Sequence, residues 1–138
     1  MKASKIILHH SATPDGTTYN WAAIRNYHVN ELGWLDVGYH AGVELVGDNY
    51  ERLLGRPWDM DGAHTLGQNH LALGLCFVGN YSLYEPDEEM LLIGAGIVKT
   101  WMRIFGITLS GIHKHNEYQN KDCPGLLFPF VKFLNMCR

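Results

Sequence analysis

The sequence predicts a single α/β domain over residues 1–138, a central mixed sheet of about five strands flanked by about three helices. Three observations predict it. The chain has 138 residues, inside the roughly 100–200 usual for one domain. Two short continuous apolar runs, residues 6–8 and 71–78, read as strands covered on both faces. The remaining segments alternate helical and strand-like patterning in the order β-α-β-β-β-α-β-α, which requires a mixed sheet and not a pure βαβ array.

Lys5–His10 opens the chain as a buried strand that ends in two histidines, so its C-terminal end faces something polar. Ser11-Ala12-Thr13-Pro14-Asp15-Gly16 is loop chemistry, punctuated by Pro and Gly. Thr17 or Thr18 caps a helix in which Trp21, Ile24, Tyr27/His28 and Leu32 recur at helical spacing, and Gly33 ends it. Residues 39–46 then read as a strand, Gly47-Asp48-Asn49 as a tight turn and residues 50–54 as the hairpin partner. Residues 55–70 are irregular and rich in Gly, Asp and His. A loop that long inside a compact domain is usually functional or mobile. Residues 71–78 form a central strand. Glu85-Pro86-Asp87-Glu88-Glu89 put acids at the start of a helix that runs to Phe105, where they complement its dipole, and Gly106 stops it. Residues 108–113 give one more strand, 114–124 a polar loop, and 128–135 a last short helix.

Composition narrows the function classes. With 46% hydrophobic and 18% charged residues the chain is neither disordered nor a coiled coil. A net charge of −3 argues against nucleic-acid binding by bulk electrostatics. The acids concentrate before residue 99 and the bases after it, a slight pointer toward an anionic partner for the C-terminal part. The longest apolar stretch, residues 90–98, falls far short of the ~20 needed to span a bilayer. The first apolar run is too short for a signal-peptide core. The expectation is a monomer with no membrane insertion, made in the cytoplasm and not exported by a classical signal. Three cysteines, Cys76, Cys123 and Cys137, make no disulfide framework and read as reduced thiols or a metal ligand.

Three groups stand out chemically: His9 at the end of the first strand, His115 in the late loop and Cys123 after it. Imidazole and thiolate are donors that Zn²⁺ favours, and three protein ligands with one open position is the catalytic arrangement. Singly, each has a plainer reading, the cysteine as a small core hydrophobe and the histidines as surface residues. Together they are soft donors at element ends, where sites are assembled. His10 alternates to the opposite face of the strand and reads as structural. Cys76 reads as core, Cys137 as frayed, His28 and His70 as ordinary.

Ile7-Leu8-His9-His10-Ser11-Ala12-Thr13, Trp34-Leu35-Asp36-Val37-Gly38-Tyr39-His40, Gly62-Ala63-His64, Asn69, Leu73-Gly74-Leu75-Cys76-Phe77-Val78-Gly79-Asn80-Tyr81, His115-Asn116-Glu117 and Lys121-Asp122-Cys123-Pro124-Gly125 recur in order along the chain. This set resembles the N-acetylmuramoyl-L-alanine amidase family, the type-2 amidase and peptidoglycan-recognition fold, and in particular its phage-lysozyme amidases. The resemblance implies one Zn²⁺ held by His9, His115 and Cys123, a catalytic Tyr39, and Lys121 as the oxyanion stabiliser. Apart from it, Tyr39 is a core tyrosine and Lys121 an exposed loop lysine. His113 competes with His115 for the late ligand position; the resemblance favours His115, which keeps an H-x-E pattern with Glu117 and the eight-residue spacing of the cysteine-ligand branch. His64 and Asn69 match positions that line the substrate groove. Arg56 joins them as a bidentate partner for a stem-peptide carboxylate, and Trp34 is either a groove aromatic or a packing residue.

The implied reaction is zinc-dependent hydrolysis of the amide between N-acetylmuramic acid and L-alanine in peptidoglycan. The implied setting is an endolysin that stays in the host cytoplasm until the membrane is breached. Two other readings stand beside it, a cytoplasmic muropeptide-recycling amidase and a peptidoglycan-recognition module without catalysis. A structural zinc protein would need a fourth protein ligand, for which His10 or His113 could be imagined.

Overall fold

A computed structural model describes residues 1–14 and 19–138. Five strands, β1 (Lys5–His10), β2 (Ala41–Val46), β3 (Asn49–Leu54), β4 (Ala72–Phe77) and β5 (Ile112–Lys114), form one mixed sheet in the order β3-β2-β4-β1-β5. β1 runs parallel to β4 and β5, β2 parallel to β4, and β3 antiparallel to β2. Three helices cover it: α1 (Trp21–Asn26), α2 (Glu88–Phe105) and α3 (Phe130–Met136). The expected class, strand number and helix number are those observed.

Period-two alternation divides the core. Ile6 and Leu8 of β1 and Leu73, Leu75 and Phe77 of β4 point to one face, where the stripe Met90, Leu91, Ala95, Val98 and Trp101 of α2 and Phe133 of α3 cover them. Cys76 points to the other face and packs with Trp21, Val37 and Val78, with Tyr39 against them. His9 shares this second face. Glu88 and Glu89 occupy the first turn of α2, and Gly106, at φ 68°, ends it in a left-handed conformation that glycine adopts without strain.

Several boundaries differ from expectation for identifiable reasons. Thr17 and Thr18 lie outside the described residues; the side chain that caps α1 is Asn20, which accepts the Ala23 N–H at 2.9 Å. α1 then widens into a π-helical turn at Tyr27–Glu31. β2 begins at Ala41, which leaves Tyr39 and His40 just ahead of it. Residues 109–111 form a 3₁₀ turn, so the last strand is only Ile112–Lys114, and a second 3₁₀ turn, His115–Glu117, follows at once. Cys137 is not frayed. It is 2% exposed, because α3 packs on α2 and carries the chain end into the core. No helix among the described residues is long and apolar enough to cross a membrane.

Gly42 and Gly74 let rings lie flat on the second face. A Cβ at Gly42 would sit 2.4 Å from the Trp21 ring, and one at Gly74 would sit 2.6 Å from the His64 ring. Gly42→Ala is therefore expected to displace Trp21 and cost about 1–3 kcal/mol, the usual range for overpacking. A urea midpoint matching the parent protein would refute the close packing.

Candidate active site

The parallel pairing of β1 with β5 builds the site. Ile7 lies opposite His113 and Leu8 opposite Lys114, so the next step along each chain brings His115 beside His9. The His9 and His115 ring centroids are 4.5 Å apart. His113 sits two residues lower, roughly 6–7 Å along the strand, and its Nδ1 pairs instead with Glu117 at 3.1 Å. It is His115, and not His113, that the register groups with His9 and Cys123.

Cys123 arrives from the loop after the second 3₁₀ turn. Its Sγ accepts the His10 N–H at 3.4 Å and lies 3.8 Å from His9 Nδ1. One donor atom each from His9, His115 and Cys123 lies within 4.8 Å of the others. All three residues are buried. His10 points to the opposite face, as expected, and clamps this loop. Its Nδ1 accepts the Tyr81 N–H at 3.1 Å, and its ring donates to the Asp122 carbonyl.

Electrostatically the three donors are primed for a cation. Burial, then repulsion between a charged His9 and the neighbouring His64 and His115 rings were they charged too, holds His9 well below the ordinary histidine range. Burial lowers His115 as well, so both rings are neutral at pH 7 and keep a free lone pair. Burial pushes the Cys123 thiol up to about 12, against the opposing pull of the His10 N–H and Lys121. Neutral imidazoles around a buried thiol have no anion to compensate, and a soft divalent cation is the partner such donors fit.

These groups open into a cleft of about 510 Å³ whose walls include His28, Trp34, Tyr39, His64 and Lys121. The Tyr39 ring stands 5.2 Å from His9. Burial, then Cys76 and Cys123 beside it, raise the Tyr39 hydroxyl well above its usual range, so it remains a donor at neutral pH. Lys121 is exposed at the rim, and its charge reaches all three donors. A second hollow of about 540 Å³ shares Ser11, His28 and Tyr39 with the cleft. The two hollows therefore adjoin.

The three residues expected on the groove fare differently. Arg56 is not among its walls. The guanidinium is buried and spends its nitrogens on backbone carbonyls, Nε on Val37 at 2.9 Å, Nη1 on Asp61 at 2.9 Å and Nη2 on Asp36 at 3.4 Å. Asn69 is not a wall either, because its Oδ1 accepts the His64 and Thr65 N–H groups at 2.8 and 2.9 Å. His64 does line the cleft, but its ring is engaged by protein on both sides: Nδ1 faces His9 Nε2 at 2.9 Å and Nε2 faces the Ala72 carbonyl at 3.1 Å. Burial lowers it to about 3, so it too is neutral.

Two participants escaped the sequence reading. His28 lines the cleft, with its Nδ1 accepting the Gly38 N–H at 3.0 Å and its ring 4.6 Å from Trp34. Gln119 lies 2.7 Å from His115 Nε2. Only its i,i+4 spacing from His115 could have marked it.

Comparison with known proteins agrees with this geometry. The chain is 29% identical over 129 residues to peptidoglycan-recognition protein SC2 of Drosophila melanogaster, covering 88% of this chain and 68% of that protein. It is 33% identical over 116 residues to human N-acetylmuramoyl-L-alanine amidase, covering 77% of this chain and 18% of that protein. The solved N-acetylmuramoyl-L-alanine amidase LysC of Clostridium intestinale shares the fold, with a TM-score of 0.81 at 24% identity over 96% of this chain and 83% of that one. The profile of the N-acetylmuramoyl-L-alanine amidases matches residues 1–126, and the chain belongs to that family.

Proposed function

We propose that residues 1–138 act as one zinc amidase domain that hydrolyses the amide between N-acetylmuramic acid and L-alanine in peptidoglycan. The observation that carries this is the convergence of His9, His115 and Cys123 at the floor of a cleft walled by Tyr39 and Lys121. His9, His115 and Cys123 would hold the ion at the cleft. A zinc ion held there supplies a nucleophile at neutral pH and Lewis acidity toward the scissile carbonyl. Tyr39, kept protonated by its surroundings, orients the attacking water or relays its proton. Lys121 places a cation where negative charge develops on the carbonyl oxygen. The adjoining hollow gives room for a stem peptide beyond the reacting bond, with His28 between the two and Trp34 on the cleft wall.

The finer setting is an endolysin-type lytic amidase that acts as a monomer on the wall once the host membrane is breached. Its support is the likeness of the sequence motifs to phage-lysozyme amidases. A second reading, binding without hydrolysis, is favoured by relatives named as peptidoglycan-recognition proteins. The complete donor set and the presence of Tyr39 and Lys121 in one cleft favour hydrolysis.

Digestion of purified murein tests both. The expected products are free stem peptides with new alanine N-termini and glycan strands without new reducing ends. Among the described residues that line the cleft, Asp122 is the only carboxylate, where glycosidases need a pair. New reducing ends without new alanine N-termini would overturn the amidase reading. Firm murein binding with zinc bound and no product would leave the recognition reading standing in its place.

A further inference from the structure

His64 lies flat on the sheet with Nε2 3.1 Å from the Ala72 carbonyl. A carbonyl only accepts, so that nitrogen carries the proton and, in the neutral ring, Nδ1 is a bare acceptor. His64 Nδ1 faces His9 Nε2 at 2.9 Å. Were His9 Nε2 also bare, two lone pairs would oppose each other at that distance. Thr65 Oγ1, 3.0 Å from His64 Nδ1 and 3.3 Å from His9 Nε2, has one proton and cannot serve both. His9 therefore donates from Nε2. Its Nδ1, on the side of Cys123 Sγ, keeps the lone pair.

A second chain reaches His115 in the same way. The Leu66 N–H donates to Gln119 Oε1 at 3.0 Å. A backbone N–H can face only the oxygen end of a carboxamide, which fixes the orientation of this one. The same oxygen lies 2.7 Å from His115 Nε2, so that nitrogen carries the proton and His115 Nδ1 is bare. Both chains begin in residues 64–66. That segment is fastened by Asn69 and fits because Gly74 has no Cβ to strike the His64 ring.

We propose that His64 and Gln119 are positioning residues that lock His9 and His115 in the Nε2–H tautomer, so that both Nδ1 atoms and Cys123 Sγ are offered together to the metal ion. The inference rests on the zinc reading above and deepens it. Neither residue touches the ion. Groups that orient a ligating imidazole from behind typically contribute 10–100-fold in metal affinity. One loop would thus set both imidazole ligands at once.

Two measurements test it. Long-range ¹H–¹⁵N imidazole spectra of the metal-stripped protein should show His9 and His115 as Nε2–H tautomers. Competition with a chromogenic chelator should show zinc bound about 10–100-fold more weakly by His64→Leu and by Gln119→Leu. His64→Asn, which restores an acceptor near the Nδ1 position, and Gln119→Glu, which keeps one, should return affinity to within a few-fold. A purely structural role would not be rescued by the acceptor alone. An Nδ1–H tautomer at either histidine, or leucine variants that hold zinc as tightly as the parent, overturns the proposal. If His64→Leu does not fold, the parent spectrum and the Gln119 pair decide it. A parent protein with no zinc affinity overturns the metal reading and this inference with it, whereas a zinc-binding parent with indifferent variants overturns only this inference.

Discussion

Cys123→Ser and Lys121→Ala should fail in different ways. The serine variant is expected to lose bound zinc and all measurable turnover, because a hydroxyl is a far poorer donor to zinc than a thiolate and two imidazoles alone make a weak site. The Lys121 variant is expected to keep one zinc per chain and an unchanged thermal midpoint. The side chain is exposed at the cleft rim. Its kcat on a soluble muropeptide should nevertheless fall by about 10²–10³, the usual loss when one oxyanion stabiliser is removed. Tyr39→Phe should behave likewise, keeping the metal and losing turnover. Murein binding should change little in either, since the groove walls at His28 and Trp34 remain. Zinc content, kcat and a murein pull-down on the same preparations separate the roles. Turnover near the parent value in Lys121→Ala and Tyr39→Phe would show that neither group acts on the reacting bond.

The framework of the site was legible because it depends on what sequence displays well. The apolar runs at Lys5–His10 and 71–78 mark the two strands that pair at the centre of the sheet; His9 stood out as a soft donor at the end of the first of them, and its ligand role came from the family resemblance. His115 became legible through the spacing of its motif, and the β1–β5 register supplies the physical cause. What stayed hidden are choices made by tertiary hydrogen bonds. Nothing in the string of residues shows that the Arg56 guanidinium is consumed by the Asp36, Val37 and Asp61 carbonyls, so a free cation was expected in the groove. Asn69 was misplaced for the same reason, its carboxamide closing the turn at His64 and Thr65. His28 looked ordinary on a helical pattern. The π-helical turn at Tyr27–Glu31 continues the chain past α1, and the Gly38 N–H holds the ring at the cleft. Gln119 had no visible role until the fold brought Leu66 beside it.

Mild acid should destabilise the metal-free protein before its carboxylates titrate. His9, His40, His64 and His115 are buried, and burial is the largest cause lowering each of them. His40 is held as a neutral ring by protein on both sides, its Nδ1 accepting the Gly74 N–H at 3.0 Å and its Nε2 donating to the Met60 carbonyl at 2.8 Å. In the unfolded chain each histidine protonates near pH 6.5, while in the folded chain His64 resists until about 3. The unfolded state therefore binds more protons throughout that interval, and stability falls as pH falls through it. His64 alone approaches a loss of about 1.4 kcal/mol per pH unit below pH 6, and His40, lowered in the same direction, adds to the slope. Against a typical total of about 5–15 kcal/mol, a loss of that size narrows the folding margin without by itself unfolding the protein at pH 5. Glu117, held below the usual carboxylate range against the upward push of burial by the Lys114 N–H and His113 together, loses its stabilising contribution only at lower pH and in the same direction. Urea midpoints read by tryptophan fluorescence in chelator at pH 7.5, 6 and 5 measure the slope directly. A midpoint that stays level across that range would mean that these rings are already protonated in the folded protein, and the neutral-imidazole geometry of the site would fall with it.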